Sequence, residues 1–126
     1  MMRHRLLAAA LLAAGGIFAS AGPALADGDA AHGKVVFGRC AACHSLDAGK
    51  KLMGPNLNGI VGQKAGAVAG YQYSKAMASS GLTWDDATLD KFLASPTSTV
   101  PGTKMLVNVA NAQDRADAIA YLKTVK

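Results

Sequence analysis

Three stretches of the chain carry apolar residues at helical spacing, and a fourth is a continuous apolar block from Leu6 to Ala14. In the first periodic stretch, Gly28 to Arg39, Ala31, Val35, Val36 and Phe37 are available to an inner face and Asp29 stands near the start. The second comes after Thr83-Trp84-Asp85-Asp86, with Leu89, Phe92 and Leu93 in its stripe and Pro96 as its stop. Thr83 with Asp86 three positions on resembles a capping box. The third begins after Asn111, with Asp114 three positions on, and its stripe is Ala112, Ala116, Ile119, Ala120 and Leu122. Lys123 and Lys126 sit at its end, where the helix dipole favours cations. A short helix is expected from Tyr73 to Ser79, stopped by Gly81, and no strand-like alternation runs longer than four residues. The predicted fold is all-α, three main helices plus a short one. Long Gly/Pro/Asn-rich loops cover Gly49 to Gly70 and Ser95 to Asn108. Loops of that length in a small domain need something to pack against.

The apolar block changes the domain count. Arg3 and Arg5 precede it, Gly15, Gly16 and Pro23 loosen the chain beyond it, and Ala24-Leu25-Ala26 is a small-residue cleavage pattern. These are the parts of a secretory signal peptide. The apolar or small stretch from Leu6 to Ala21 is 16 residues, short of the roughly 20 that span a bilayer. His4 separates the two arginines, so general secretion is the simpler route. The expectation is cleavage after Ala26, residues 27–126 as one domain, and a periplasmic location without stable membrane insertion.

Composition then narrows the function. The whole chain of 126 residues has a formal charge of +5, but residues 27–126 hold 11 Lys+Arg against 8 acids, a formal +3. There is no run of five cations and no basic patch interleaved with aromatics, so nucleic acid is excluded as a partner. An apolar fraction of 51% excludes a disordered tail protein. Two cysteines are too few for a disulfide scaffold or a self-sufficient structural zinc site.

Those two cysteines lie in Cys40-Ala41-Ala42-Cys43-His44, the C-x-x-C-H pattern of c-type haem attachment. Two intervening residues let a helical turn set both sulfurs on one haem edge, and the His then reaches the iron from the same side. A thioredoxin-like redox pair would need a preceding strand. Half of a zinc site would need a second ligand cluster, and a disulfide leaves His44 unexplained. The iron also needs a sixth ligand or an open position. His32 is eight residues before Cys40 on the same helix and is expected to be a solvated helix residue; His4 leaves with the signal. Met53 and Met77 are read as core filler. Met105 comes directly after the turn Pro101-Gly102-Thr103-Lys104 and is the candidate ligand. His44/Met105 ligation fills both axial sites and favours electron transfer over oxygen activation.

From Gly28 to Lys126 the chain resembles the class I cytochromes c of the mitochondrial type, most closely their bacterial relatives. The resemblance is carried by the C-x-x-C-H motif, Gly54-Pro55-Asn56-Leu57-Asn58-Gly59, Gly70-Tyr71-Gln72-Tyr73-Ser74, Gly81-Leu82-Thr83-Trp84, Pro101-Gly102-Thr103-Lys104-Met105 and Ile119-Ala120-Tyr121-Leu122-Lys123. It implies a fold wrapped around one haem c, attached through thioethers to Cys40 and Cys43. It implies that Pro55 offers its carbonyl to the ring N–H of His44. Tyr73, Ser74 and Trp84 correspond to side chains around buried haem propionates, and Thr103 to a residue beside the Met ligand. Gly33 and Phe37 would pack on Tyr121. The chain departs from the mitochondrial pattern at Gln63 (for an arginine), Met77 (for an asparagine), Phe92 (for a tyrosine) and Val107 (for an aromatic). Thr97 and Ser98 replace two lysines of the docking ring.

The implied function is a monomeric, exported, one-electron carrier, not an enzyme. Electrons would pass through the exposed haem edge between larger redox complexes, a reductase or dehydrogenase donor and an oxidase or reductase acceptor with acidic docking faces. Arg39, Lys50, Lys51 and Lys104 are the expected docking cations. The competing reading is a peroxidase-like or gas-binding protein formed when Met105 dissociates.

Overall fold

The computed structural model describes residues 15–16 and 27–126. The signal-peptide reading of residues 1–26 thus lies outside the described residues, Gly15 and Gly16 apart. Five helices occur among the described residues: α1 (Ala30–Phe37), α2 (Lys75–Ala78), α3 (Asp86–Ala94), α4 (Pro96–Thr99) and α5 (Ala112–Lys123). Strand pairing among them is confined to an isolated antiparallel bridge between Lys64 and Thr83. The all-α expectation holds.

Caps explain where the helices start. Asp29 accepts from the backbone N–H groups of Ala31 and His32 and opens α1. Asn111 accepts from Asp114 N at 2.9 Å and opens α5, as the sequence predicts. For α3 the cap is Asp85, which accepts from Thr88 N at 2.8 Å, and not Thr83. The reason is local: Thr83 is in the bridge to Lys64, and Trp84 pairs through both backbone groups with Gly62 and Gln63. The chain therefore stays extended until Asp85. Pro96 ends α3 but also opens α4, inside the stretch expected to be loop, because its fixed φ and missing N–H suit a first helical position.

The frame is the crossing of α1 over α5. Gly33 and Gly28 make it close: a Cβ on Gly28 would stand 2.1 Å from Ala116 O, and one on Gly33 would meet the backbone of α5 as tightly. Phe37 packs on Tyr121 with ring centroids 5.8 Å apart. The inward faces differ in detail from the expectation. Val36 is buried but Val35 is 71% exposed, and Ala112 is exposed while Asp117 and Ala118 are buried. His32 is not simply solvated, because its Nδ1 lies 2.7 Å from Asp117 Oδ2. Asp117 Oδ1 also accepts from Asp29 N at 2.8 Å and Gln113 Nε2 at 2.9 Å. These donors, the Asp29 amide foremost, hold its carboxyl below its ordinary value.

The core proper is Ile60, Met77, Trp84, Leu89, Phe92, Leu93, Val100, Val109, Ile119 and Leu122. Ile60, Val100 and Val109 come from loops, at no periodic spacing. Among the described residues no large side chain is less than 2% exposed, because most of these residues form the wall of one cleft.

Candidate haem site

The attachment motif continues α1 as a set of turns. Cys40 N donates to Phe37 O at 2.8 Å, and Cys43 N and His44 N both donate to Cys40 O, at 3.1 and 2.9 Å. The segment from Gly54 then runs beside it: Gly54 N donates to Cys43 O at 2.7 Å and Leu57 N to Ser45 O at 3.0 Å. Gly54 has no substitute here, since a Cβ would stand 2.7 Å from His44 Cε1. The carbonyl of Pro55 lies 2.7 Å from His44 Nδ1. A carbonyl only accepts, so the ring proton sits on Nδ1 and the lone pair on Nε2.

Cys40, His44, Pro55, Tyr73, Ser74, Trp84, Thr103 and Met105 all line one apolar cleft, with about 980 Å³ of free space, part of it open to solvent. Most of the core side chains form the rest of the wall. Cys43 stands outside this lining, with Sγ 4.0 Å from Met53 Sδ. Of the remaining thioethers, Met77 is buried in the cleft wall, whereas Met53 is 80% exposed and does not line it.

Each expected site residue has a definite local job. Ser74 Oγ caps α2 by accepting from Met77 N at 3.1 Å, which leaves its own proton free to donate. Tyr73 Oη accepts from Val68 N at 3.1 Å, and burial pushes its phenol pKa up. Trp84 stacks at a tilt on Phe92, centroids 5.0 Å apart. Thr103 is buried, and its Oγ1 accepts from Met105 N at 3.3 Å. Gln63 turns back on its own loop, donating to Gly59 O at 2.8 Å.

Both cysteines are free. Burial pushes the Cys40 thiol up, against the lowering effect of Arg39. A partly buried thiol with a raised pKa is a poor redox nucleophile. Two thiols and a tautomerically fixed imidazole at the edge of a hollow apolar core are instead the donor set that a haem c requires.

Two expected docking cations are not free. Arg39 pairs with Asp114 at 3.1 Å, and Lys104 Nζ donates to Gln72 O at 2.8 Å. The sequence holds no signal for either, because both partners are distant in the chain. Lys50 and Lys51 are exposed.

The cytochrome c family profile matches residues 30–126. The chain belongs to the cytochrome c family. It is 52% identical over 103 residues to cytochrome c2 of Rhodomicrobium vannielii, covering 80% of this chain and 82% of that one. Among solved structures, cytochrome cH from Methylobacterium extorquens superposes with a TM-score of 0.74 at 48% identity, covering 77% of this chain and 99% of that one. Cytochrome c2 from Rhodospirillum centenum gives 0.75 at 31%, covering 79% and 99%. Cytochromes of this family carry one covalently bound haem c, which the residues above fit. They carry electrons between redox partners and are not enzymes. Among the described residues no helix is long and apolar enough to cross a membrane.

Proposed function

We propose that this cytochrome is exported by cleavage after Ala26 and works in the periplasm as a monomeric one-electron carrier with His44 and Met105 as axial ligands. The observation that carries the ligand reading is the shared cleft: His44, with its Nδ1 committed to Pro55 O, and Met105 line the same apolar space. The bound haem supplies a one-electron Fe(III)/Fe(II) couple. The chain's residues do the rest.

Cys40 and Cys43 anchor the group covalently. Pro55 holds the His44 proton on Nδ1, so Nε2 is presented as a strong and correctly turned donor. Apolar walls from Leu57, Ile60, Leu89 and Phe92 exclude water, which keeps the reorganisation on electron transfer small. Ser74, with a free hydroxyl proton, Tyr73 and Trp84 are the cleft-lining side chains that would receive the propionates, and Thr103 steadies the Met105 backbone. The partner is a redox protein with an acidic docking face, met by Lys50 and Lys51.

The test is the optical spectrum of the purified protein in both oxidation states, for the wild type and Met105→Ala. The wild type should show a c-type haem with the weak far-red band of ferric Met–iron coordination. The variant should keep the covalent haem, lose that band and have a lower potential. Survival of the band in Met105→Ala would make Met77, the other thioether in the cleft wall, the ligand.

A further inference from the structure

We propose that Met53 is a modification site: its thioether, paired at the surface with the sulfur of Cys43, is the first in residues 27–126 to become a sulfoxide when the oxidant is hypochlorous acid. Among the described residues the methionines are Met53, Met77 and Met105. Met77 is 7% exposed in the cleft wall, and Met105 is partly buried in the same lining. Met53 is 80% exposed and stands outside it. Oxidation of sulfur follows exposure, so access alone ranks Met53 first.

Position adds a second factor. Met53 Sδ lies 4.0 Å from Cys43 Sγ. The backbone holds the two together, because Gly54 N, next in the chain, donates to Cys43 O at 2.7 Å. Haem attachment turns the Cys43 thiol into a thioether, so Met53 then has a second soft, polarizable sulfur beside it.

That neighbour matters for the chemistry. A lone pair on Met53 Sδ attacks the chlorine of hypochlorous acid; an S–Cl bond forms and hydroxide leaves. Positive charge develops on Sδ, where the electron pairs of the Cys43 sulfur can stabilise it. Water then attacks Sδ; the S–O bond forms, the S–Cl bond breaks and chloride leaves. The sulfur is oxidised by two electrons, chlorine is reduced to chloride, and one net proton goes to solvent. The Cys43 sulfur is unchanged at the end.

The product replaces an apolar side chain by a polar one, and sulfoxide reductases reverse it. Lys50, Lys51 and Leu52 directly precede Met53 and are exposed. The change therefore falls beside the two exposed docking cations and leaves the axial ligands alone, a separation that rests on Met105 being one of them.

The experiment treats the ferric holoprotein with a limiting amount of hypochlorous acid and maps the added oxygen by peptide mass spectrometry. Exposures of 80% and 7% predict roughly tenfold more sulfoxide at Met53 than at Met77. The far-red band of the wild type should survive the treatment. Val35→Met supplies an internal competitor on α1, at a position 71% exposed and outside the cleft lining. In that variant Met53 should take the larger share of the oxygen. Equal shares, or a larger share at position 35, would overturn the role of the sulfur pair. Oxygen found first at Met77 or Met105 would overturn the site itself. If the untreated wild type lacks the far-red band, the Met105 reading fails separately, and the competition between positions 53 and 35 still decides the proposal.

Discussion

Gly33 on α1 lies so close to Asp117 on α5 that a Cβ on the glycine would stand 1.9 Å from the Asp117 carbonyl oxygen. The same Asp117 receives the first helix through its side chain, from Asp29 N and His32 Nδ1. One residue of α5 thus meets α1 twice, once by backbone contact and once by hydrogen bonds. This crossing carries the motif at 40–44 on the end of α1 and fixes it relative to the rest of the cleft wall.

Gly33→Ala should therefore be among the costly substitutions. The added methyl meets main chain, which cannot swing aside, so the helices must separate and Phe37 must leave Tyr121. The expected loss is about 3 kcal/mol, the upper end for overpacking. Guanidinium unfolding of the holoprotein measures it, and a loss below about 1 kcal/mol would mean that the crossing relaxes freely.

Asp117 also sets a pH dependence. Its folded carboxyl is held below the ordinary value of 3.8. A depressed carboxyl contributes stability that is present above its unfolded pKa and lost as pH falls through the folded one. Wild-type stability should decline below about pH 4 by more than that of Asp117→Asn, and the difference between them should narrow as the solution becomes more acid. Parallel stability curves for the two proteins from pH 7 to pH 2 would show that this carboxyl is not the group responsible.

The sequence is most legible where a local rule acts alone. Asn111 with Asp114 marks the start of α5, and Cys40 to His44 marks the site. Local rules fail where a distant partner overrides them. Thr83 has the spacing of a cap, but its bridge to Lys64 keeps the chain extended. Ser95 to Asn108 has the composition of a loop, yet Pro96 starts a helix as well as stopping one. Val35 fits the helical stripe but faces water, since Gly33 and Val36 set the buried side. Ile60, Val100 and Val109 are core residues with no periodic signal, brought inward by loops that close on the cleft. His32 and Lys104 have the pattern of solvated surface residues, because Asp117 and Gln72 are far away in sequence.

The hollow core predicts that folding depends on the haem. Leu89, Phe92, Leu93, Trp84, Ile60 and Leu122 all face the cleft. Without a body in it they lose the partner that would offset the entropy of ordering two long loops. The Cys40→Ala, Cys43→Ala double variant, made without attached haem, should be largely unfolded by circular dichroism. A cooperative thermal transition in that protein would show that the crossing of α1 and α5, with α3, suffices by itself.

Docking should depend only weakly on salt. Residues 27–126 carry a formal +3, and the propionates of a bound haem lower it further, so steering has to come from local asymmetry. Two of the four cations expected near the cleft, Arg39 and Lys104, are engaged with Asp114 and Gln72, while Thr97 and Ser98 on α4 are exposed and neutral. Thr97→Lys with Ser98→Lys adds two free cations without touching the cleft lining. The low-salt association rate with an acidic acceptor should rise by roughly tenfold at most, the low end of steering effects, and the potential should stay nearly unchanged. Stopped-flow electron transfer across ionic strength is the measurement. The wild-type rate should fall gently as salt rises, and the double variant should fall more steeply from a higher start. A wild-type rate that is flat or climbs with salt would mean that the exposed Leu106 and Val107 make the contact, with a partner whose docking face is apolar, not acidic.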